Sequence, residues 1–328
     1  MINPKFVFNA NHVSSPQEYG RFQQHLGLLG DAVRLGSYYS AIIETPPGKF
    51  VIDVGAGTGI LALLALKHGY EHAVLVEPSS KMCHYAAYLL DKNGLSGRYD
   101  IINSSFEEIP PGTLPDPVDV DLVVTETISS LVLGFGCWNA LADYTNQLSK
   151  SARTIPAKAS VRAAYARAGY GGSSGGMRLL RDLGIDVDLE NYTFHSGGNV
   201  IDKARFNFDI LRNELIFKEL ASITLGTNSS TIDLVTQSIR MPWSGTVSGI
   251  VSYFSVELST RNPRNILNSA DPSLLSWAPL YVPTKSPIHV TAGDQLALGV
   301  SLCDGDAPFP YAFEFHNEYE RVTERLFW

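Results

Sequence analysis

The sequence predicts an α/β protein: a doubly wound parallel sheet flanked by helices, preceded by a helical segment and followed by a mainly antiparallel β unit. Three observations carry that prediction. Short continuous apolar runs alternate with helical stretches over residues 50–125, as strands buried on both faces require. A turn with three glycines joins the first such run to the first helix of the series. Beyond about residue 156 the apolar pattern changes to strict alternation, the mark of half-buried strands.

The elements follow in order. Residues 17–45 read as helical because Phe22, Leu26, Leu29 and Val33 recur at helical spacing, and Pro46, Pro47 and Gly48 then break the chain. Residues 50–54 form the first buried strand, 60–67 a helix stopped near Gly69, and 73–76 the second strand. Residues 80–92 carry Met82, Tyr85, Ala86, Leu89 and Leu90 on one stripe, with Gly94 as the stop signal. Residues 99–102 and 121–125 are the third and fourth strands. Arg153-Thr154-Ile155-Pro156 is the expected boundary, so the chain divides into a helical segment over 1–48, a parallel α/β unit over 49–155 and a β-rich unit over 156–328. In the last unit Phe254, Val256 and Leu258 alternate with Ser255, Glu257 and Ser259, and Leu296, Leu298, Val300 and Leu302 alternate with Ala297, Gly299 and Ser301. The stretch 168–203 opens on a Gly/Ser-rich run, Gly169 to Gly176, and is too long for a structureless loop inside a compact domain. It reads as a linker or as an arm that packs on something else.

Composition bounds the function. The 328 residues suggest about two domains, and 45% hydrophobic against 18% charged residues leaves ample material for cores. With 25 Lys+Arg against 33 Asp+Glu the net charge is -8, which argues against nucleic acid as partner, since phosphate binding needs a basic surface. The same balance mildly favours a cationic substrate. The start lacks the pattern of a secretory signal, and no window of about 18 apolar residues suggests a membrane-spanning helix. Cys83, Cys137 and Cys303 are odd in number and widely spaced, as expected of free thiols in the reducing cytoplasm.

The strongest local signal is Asp53-Val54-Gly55-Ala56-Gly57-Thr58-Gly59. Glycines at alternate positions let the backbone turn sharply and approach a ligand closely, because no Cβ intervenes. Glu77 ends the next strand, where an acid can accept from both ribose hydroxyls. A nicotinamide-dinucleotide fingerprint wants a glycine where Ile60 stands. The spacing therefore suits a nucleoside with an amino-acid tail, or else a tight turn that binds nothing.

On these residues the chain resembles the protein arginine methyltransferases. Val51 through Leu61 is similar to their motif I, and His25, Leu28, Leu29, Asp31, Arg34 and Tyr38 match a spaced pattern upstream of it. Phe106-Glu107-Glu108, Ile155-Pro156, Gly249 through Phe254, Ser276-Trp277 and Val290 through Asp294 resemble further family segments, in order along almost the whole chain. The resemblance implies a Rossmann-like doubly wound methyltransferase domain with N-terminal helices, then a β-barrel-like domain. It implies S-adenosylmethionine as cofactor. Arg34 would hold its methionine carboxylate, Asp53, Gly55, Gly57 and Gly59 its tail and ribose, Glu77 the ribose hydroxyls, and Glu107 the adenine amino group, with Phe106 and His25 beside them. Glu126 would be catalytic and, with Tyr19 and Trp277, substrate-binding. The segment 168–203 lies where the family inserts its dimerisation arm, which implies a homodimer that sedimentation would reveal.

The chain also departs from the family. Of the two glutamates that grip the substrate guanidinium, Glu126 matches the first, but Gly134-Phe135-Gly136 stands where the second belongs. The family's Thr-His-Trp reads Leu275-Ser276-Trp277, and of its two N-terminal tyrosines only Tyr19 is in register, with Ser15 at the other place. Three functions stay open: methylation of an arginine nitrogen, free or peptidyl; N- or O-methylation of a non-guanidino small molecule; and cofactor binding without turnover. Arg34 could alternatively be a surface helix residue, and Glu126 a carboxylate that only shapes its loop. His68 and His72 have helical metal spacing but sit at a helix end without an evident third ligand, so no zinc is expected. His289 reads as structural, Trp243 and Trp277 could line a pocket or sit in the core, and neither a serine nucleophile elbow nor a phosphate loop is present.

Overall fold

The computed structural model describes residues 25–128, 137–167, 199–200, 215–226, 228–262, 264–302, 311–317 and 324–327. Tyr19, and the stretch 168–203 apart from residues 199–200, lie outside them. The first layer is a five-stranded sheet in the order β3-β2-β1-β4-β5, formed by β1 (Phe50–Val54), β2 (His72–Val76), β3 (Tyr99–Ile102), β4 (Val120–Thr125) and β5 (Arg153–Ile155). Every pairing is parallel. The chain builds outward from β1 through β2 to β3, then returns to place β4 on the other side of β1. The order therefore reverses between β1 and β4, and an open α/β sheet binds ligands in the crevice beyond the carboxyl ends of such a pair.

The helices explain themselves. α2 (Ile60–His68) is apolar nearly all round and buries Leu61, Ala62, Leu63, Ala65 and Leu66. Gly69, with φ +123°, ends it by donating its N–H to Ala65. α3 (Ser80–Lys92) starts where the Ser79 hydroxyl accepts from the Met82 amide, an N-cap that satisfies one of the first turn's free donors. α4 (Trp138–Asn146) buries Trp138, Leu141, Ala142 and Thr145.

The helical stripe expected over 17–45 is interrupted. Residues 25–30 are helical, Asp31 is not, and α1 (Ala32–Ile42) begins anew. Asp31 (φ −82°, ψ +89°) turns its carboxylate to accept from the Arg34 amide. The expected stripe is not the buried face either: Leu26 and Val33 are exposed, and α1 buries Arg34, Tyr38, Ala41 and Ile42 instead, whereas an Asp ahead of a helical run is an N-cap signal.

After the cis Ile155–Pro156 peptide the chain is β-rich. One antiparallel sheet runs β7-β13-β11-β6-β8-β9, with β12 on β11; a second runs β10-β14-β15-β16. Their strands are β6 (Lys158–Arg167), β7 (Asn199–Val200), β8 (Lys218–Thr224), β9 (Thr231–Leu234), β10 (Gln237–Arg240), β11 (Gly245–Glu257), β12 (Ile266–Asn268), β13 (Leu280–Val290), β14 (Gln295–Leu302), β15 (Tyr311–Asn317) and β16 (Glu324–Phe327). Of the alternating segments read from the sequence, 254–257 falls on β11, with Leu258 and Ser259 just past its end, and 296–302 falls on β14. One hydrophobic cluster runs from Tyr38 and Val51 through Phe254 and Trp277 to Leu298, so the parallel and antiparallel sheets share a core.

α1 is clasped between the two layers. Arg153 on β5 donates from Nη1 to Ala41 O at 2.9 Å and from Nη2 to Ile42 O at 3.1 Å, closing two carbonyls at the helix end. Asn265 donates to Ser37 O at 3.1 Å, and Ser259 donates to the Glu44 carboxylate. Removing the guanidinium strands acceptors that α1 cannot satisfy itself. Arg153→Ala is therefore expected to cost about 1–3 kcal/mol, read as a lowered urea midpoint with an unchanged slope; an unmoved midpoint would show that the clasp is idle.

Candidate functional site

The site begins at the β1–α2 turn. Gly55, Gly57 and Gly59 all have positive φ (+68°, +51° and +74°), a region L side chains rarely adopt. Two of them also lack room for a Cβ: at Gly55 it would lie 2.2 Å from the Thr127 methyl, and at Gly57 2.7 Å from His25 Cε1. His25 thus sits directly over the turn. The Gly55 and Ala56 amides donate to Val76 O at 2.9 and 3.0 Å, which ties the turn to β2. Glu77, just past β2, accepts from the Gly57 amide through Oε2 and from the Ser79 amide through Oε1, both at 2.8 Å. Asp53, inside β1, accepts from the Ala62 amide at 2.9 Å. Burial raises its pKa to about 7; the Ala62 amide opposes that rise, and the charges of Glu77 and Glu126 add to it.

The second half of the site comes from α1 and the end of β4. Thr125 Oγ1 donates to Val54 O at 2.9 Å, and Tyr38 OH donates to Thr125 O at 3.2 Å, so the two strand ends flanking the switch point are pinned together. Glu126 follows. Its Oε1 accepts from Trp277 Nε1 at 3.1 Å, and its Oε2 lies 3.5 Å from Arg34 Nη1. Trp277 packs edge-on against Phe254 with centroids 4.9 Å apart. Burial raises the Glu126 pKa against the lowering effects of Arg34 and of the Trp277 hydrogen bond, while the Asp31 charge adds to the rise.

Arg34 is 2% exposed, so it is not a surface arginine. Its Nη2 donates to Leu28 O at 2.7 Å, Nη1 faces Glu126, and Nε is buried without a hydrogen-bond partner. A buried donor left unpaired costs about 1–3 kcal/mol, and a carboxylate is the acceptor that matches a guanidinium edge. Asp31 completes the group. Its Oδ2 accepts from the Leu275 and Ser276 amides, each at 2.9 Å, and from Ser276 Oγ at 2.6 Å. Burial works against the ionised form of Asp31, but the bonds from the Ser276 hydroxyl and from the Arg34, Ser276 and Leu275 amides outweigh it and hold the pKa below the usual carboxylate value.

The structure thus brings together Arg34, Glu126 and Trp277 on one side, and Asp53, the glycines, Glu77 and His25 on the other. Phe106 and Glu107 stand apart on a 3-10 turn after β3: Phe106 is buried, 6.0 Å edge-on from Tyr144, and Glu107 is exposed. The segment 129–136 lies outside the described residues, and its sequence holds no acid. Where the family pattern has histidine, Ser276 takes up Asp31 instead. Sequence reasoning missed that bond and the packing of Thr127 on Gly55; both join residues far apart in the chain and leave no local signal. His68 and His72 go to different partners, Thr45 O at 2.9 Å and Asp100 at 2.8 Å.

Comparison with known proteins agrees with this geometry. Residues 51–133 match a family model described as a methyltransferase domain. The chain is 36% identical over 126 residues to protein arginine N-methyltransferase 1 of Saccharomyces cerevisiae, covering 36% of this chain and 35% of that protein. It is 35% identical over 119 residues to a probable histone-arginine methyltransferase CARM1 of Oryza sativa subsp. indica, covering 35% of this chain and 21% of that protein. The matched region thus spans only about a fifth to a third of these relatives. Among solved structures, the Trypanosoma brucei PRMT1 enzyme-prozyme complex with AdoHcy aligns with TM-score 0.66 at 18% identity over 94% of this chain and 98% of that one. A PRMT6 crystal structure aligns with TM-score 0.66 at 19% identity over 91% and 99%. The fold, a Rossmann-like parallel sheet joined to antiparallel sheets of barrel-like character, is the one these arginine methyltransferase structures share.

A pH prediction follows from Asp53. Its native pKa lies above the ordinary 3.8, so the native state holds a proton that the unfolded chain has lost. The stability this proton contributes is full below pH ~4 and fades as pH rises toward 7. Asp53→Asn keeps an acceptor for Ala62 and cannot ionise. The variant should therefore gain on the natural chain between pH 4 and 7, by on the order of 4 kcal/mol at most, in urea titrations at several pH values. A pH-independent difference would mean that Asp53 is ionised throughout.

Proposed function

We propose that the chain is a methyltransferase that uses S-adenosylmethionine to methylate a nitrogen of arginine, free or within a peptide. The observation that carries this reading is the pairing, across one switch point, of a glycine cradle with a buried guanidinium whose Nε lacks an acceptor. A nucleoside bearing an amino-acid tail fits that pair of features. Arg34 would take the tail carboxylate, the Asp53–Gly59 turn would accept the close approach of the tail and ribose, and Glu77, with His25 beside it, would take the ribose hydroxyls. Phe106 and Glu107 would lie at the adenine end. The sequence and fold similarity to arginine methyltransferases supports the same assignment.

When bound, the cofactor supplies an activated methyl group together with its leaving group. The chain's own work is positioning and exclusion of water. Glu126 would hold the acceptor N–H and draw positive charge toward the nitrogen it touches, leaving density on the nitrogen that reacts. Burial raises its pKa, which suits a carboxylate that also accepts a proton. Trp277 fixes Glu126 through Oε1, and Asp31 fixes Trp277 through its neighbour Ser276.

One observation favours a second reading. Both Glu126 oxygens already have partners, and no acid stands in 129–136 to share a substrate cation. An uncharged amine or hydroxyl of a small molecule needs no such compensation.

Single-turnover transfer of labelled methyl to arginine, arginine peptides, small amines and hydroxyl compounds separates these readings. Label is expected on an arginine nitrogen, and Glu126→Gln should lower the rate by about 100-fold or more with cofactor binding retained. Label confined to non-guanidino acceptors would establish the second reading, and transfer to none of them would refute both.

A further inference from the structure

The ladder between β2 and β3 ends where Glu77 donates its amide to Ile102 O at 3.1 Å. The next residue, Pro78, has no N–H and cannot add a rung. A side chain carries the link further. Ser104 donates its amide back to Ile102 O at 3.1 Å, and Asn103 stands at the middle of that tight turn. Its Nδ2 donates to Glu77 O and to Pro78 O, both at 2.9 Å, and its Oδ1 accepts from Ser80 Oγ at 2.7 Å. The two carbonyl oxygens can only accept, so the amide has one workable orientation. One side chain thus grips both ends of the segment 77–80. Cys83 gives Glu77 O a second donor, 3.2 Å away. Burial and the Glu77 charge push its thiol up to about 12, so it keeps its proton.

We propose that Asn103 is the positioning residue for Glu77: by pinning the 77–80 turn it fixes the direction in which the carboxylate meets the ribose hydroxyls of the nucleoside cofactor. The inference rests on the reading of Glu77 as the ribose partner. The carboxylate is aimed by this same turn, since its Oε1 accepts from the Ser79 amide and its Oε2 from the Gly57 amide, both at 2.8 Å. Ser79 lies between residues that Asn103 holds. The bond to Pro78 O is exposed to water, while those to Glu77 O and from Ser80 are partly buried and carry more of the restraint. A hydrogen bond weakens steeply as its angle falls away from linearity, so a loosened turn loses the ribose contacts first. Arg34 is held by Leu28 O, and the Gly55 and Ala56 amides by Val76 O, so the rest of the site keeps its shape.

The test uses the full chain and two ligands, S-adenosylhomocysteine and its 2′,3′-dideoxy counterpart, which lacks only the hydroxyls that Glu77 would take. Calorimetric affinities of both are measured on the natural chain and on Asn103→Leu, which keeps the side chain's size and removes its hydrogen bonds. The natural chain is expected to favour S-adenosylhomocysteine by about 10- to 100-fold, the order of hydrogen bonds to a charged acceptor. The substitution is expected to lower that affinity about tenfold and to leave the dideoxy affinity unchanged. The unchanged ligand also reports that the variant is folded. Should Asn103→Leu bind neither ligand, Asn103→Ser, which keeps a hydroxyl donor, decides by the same ratio: a reduced preference supports the proposal. An unmoved preference, or equal losses for both ligands, would overturn the positioning role while leaving the ribose reading of Glu77 intact. A natural chain that binds both ligands equally, or neither, would overturn that reading itself, and the proposal with it.

Discussion

A guanidinium buried to 2% exposure has to be enclosed by acceptors, and Arg34 draws them from separate parts of the chain. The helical turn before α1 gives Leu28 O, and the end of β4 gives Glu126. The β-rich unit acts through the 275–277 loop, which binds Asp31 and sends Trp277 to Glu126. Breaking a buried pair by removing one partner is costly because the remaining charge is stranded. The junction therefore constrains the helix break at Asp31, the closure of β4 on β1 through Thr125, and the seating of the antiparallel layer on the parallel one.

Across the switch point the chain gathers carboxylates rather than cations. Asp53 and Glu77 lie one strand apart, each tied to the β1–α2 backbone; burial raises the Asp53 pKa to about 7, and the charges of Glu77 and Glu126 add to the rise. Such a cluster is costly in an isolated core and useful where a ligand brings hydroxyls, an ammonium or a sulfonium to meet it. Carboxylates raised by burial and by neighbouring charge, at the carboxyl ends of the switch-point strands, are candidates for a functional site on physical grounds. The glycine turn adds shape to charge: a side chain at residue 55 or 57 would collide with Thr127 or His25.

Much of the parallel sheet was legible because strands buried on both faces must be continuous apolar runs, and those at 50–54 and 99–102 coincide with β1 and β3. Strands β2 and β4 each begin one residue earlier than the apolar run, at His72 and Val120. The alternation at 254–259 and 296–302 marked β11 and β14 for the complementary reason: Phe254, Val256, Leu296 and Leu298 are buried, while Ser255, Glu257 and Ala297 between them are partly exposed. What the pattern concealed was local or non-local chemistry. Asp31 breaks the expected helix, and the stripe that suggested one helix is not its buried face, since Leu26 and Val33 are exposed while Arg34 and Tyr38 are buried; α4 gives little signal because its start abuts a short apolar segment. In the site, Asp53, the glycines and Glu77 were legible from spacing; Arg34 and Glu126 needed the family resemblance. The bonds from Ser276 to Asp31 and from Trp277 to Glu126 span more than 150 positions and appear only once the layers are folded together.

The central claim is that Arg34 anchors the acidic tail of a nucleoside cofactor, and calorimetry of S-adenosylmethionine on the folded full chain tests it most directly. The account predicts saturable binding at one site per chain, weakened by about one to two orders of magnitude in Arg34→Lys, because an ammonium cannot present the guanidinium's planar fork. An absence of heat with the natural chain, or equal affinity in the lysine variant, would contradict it.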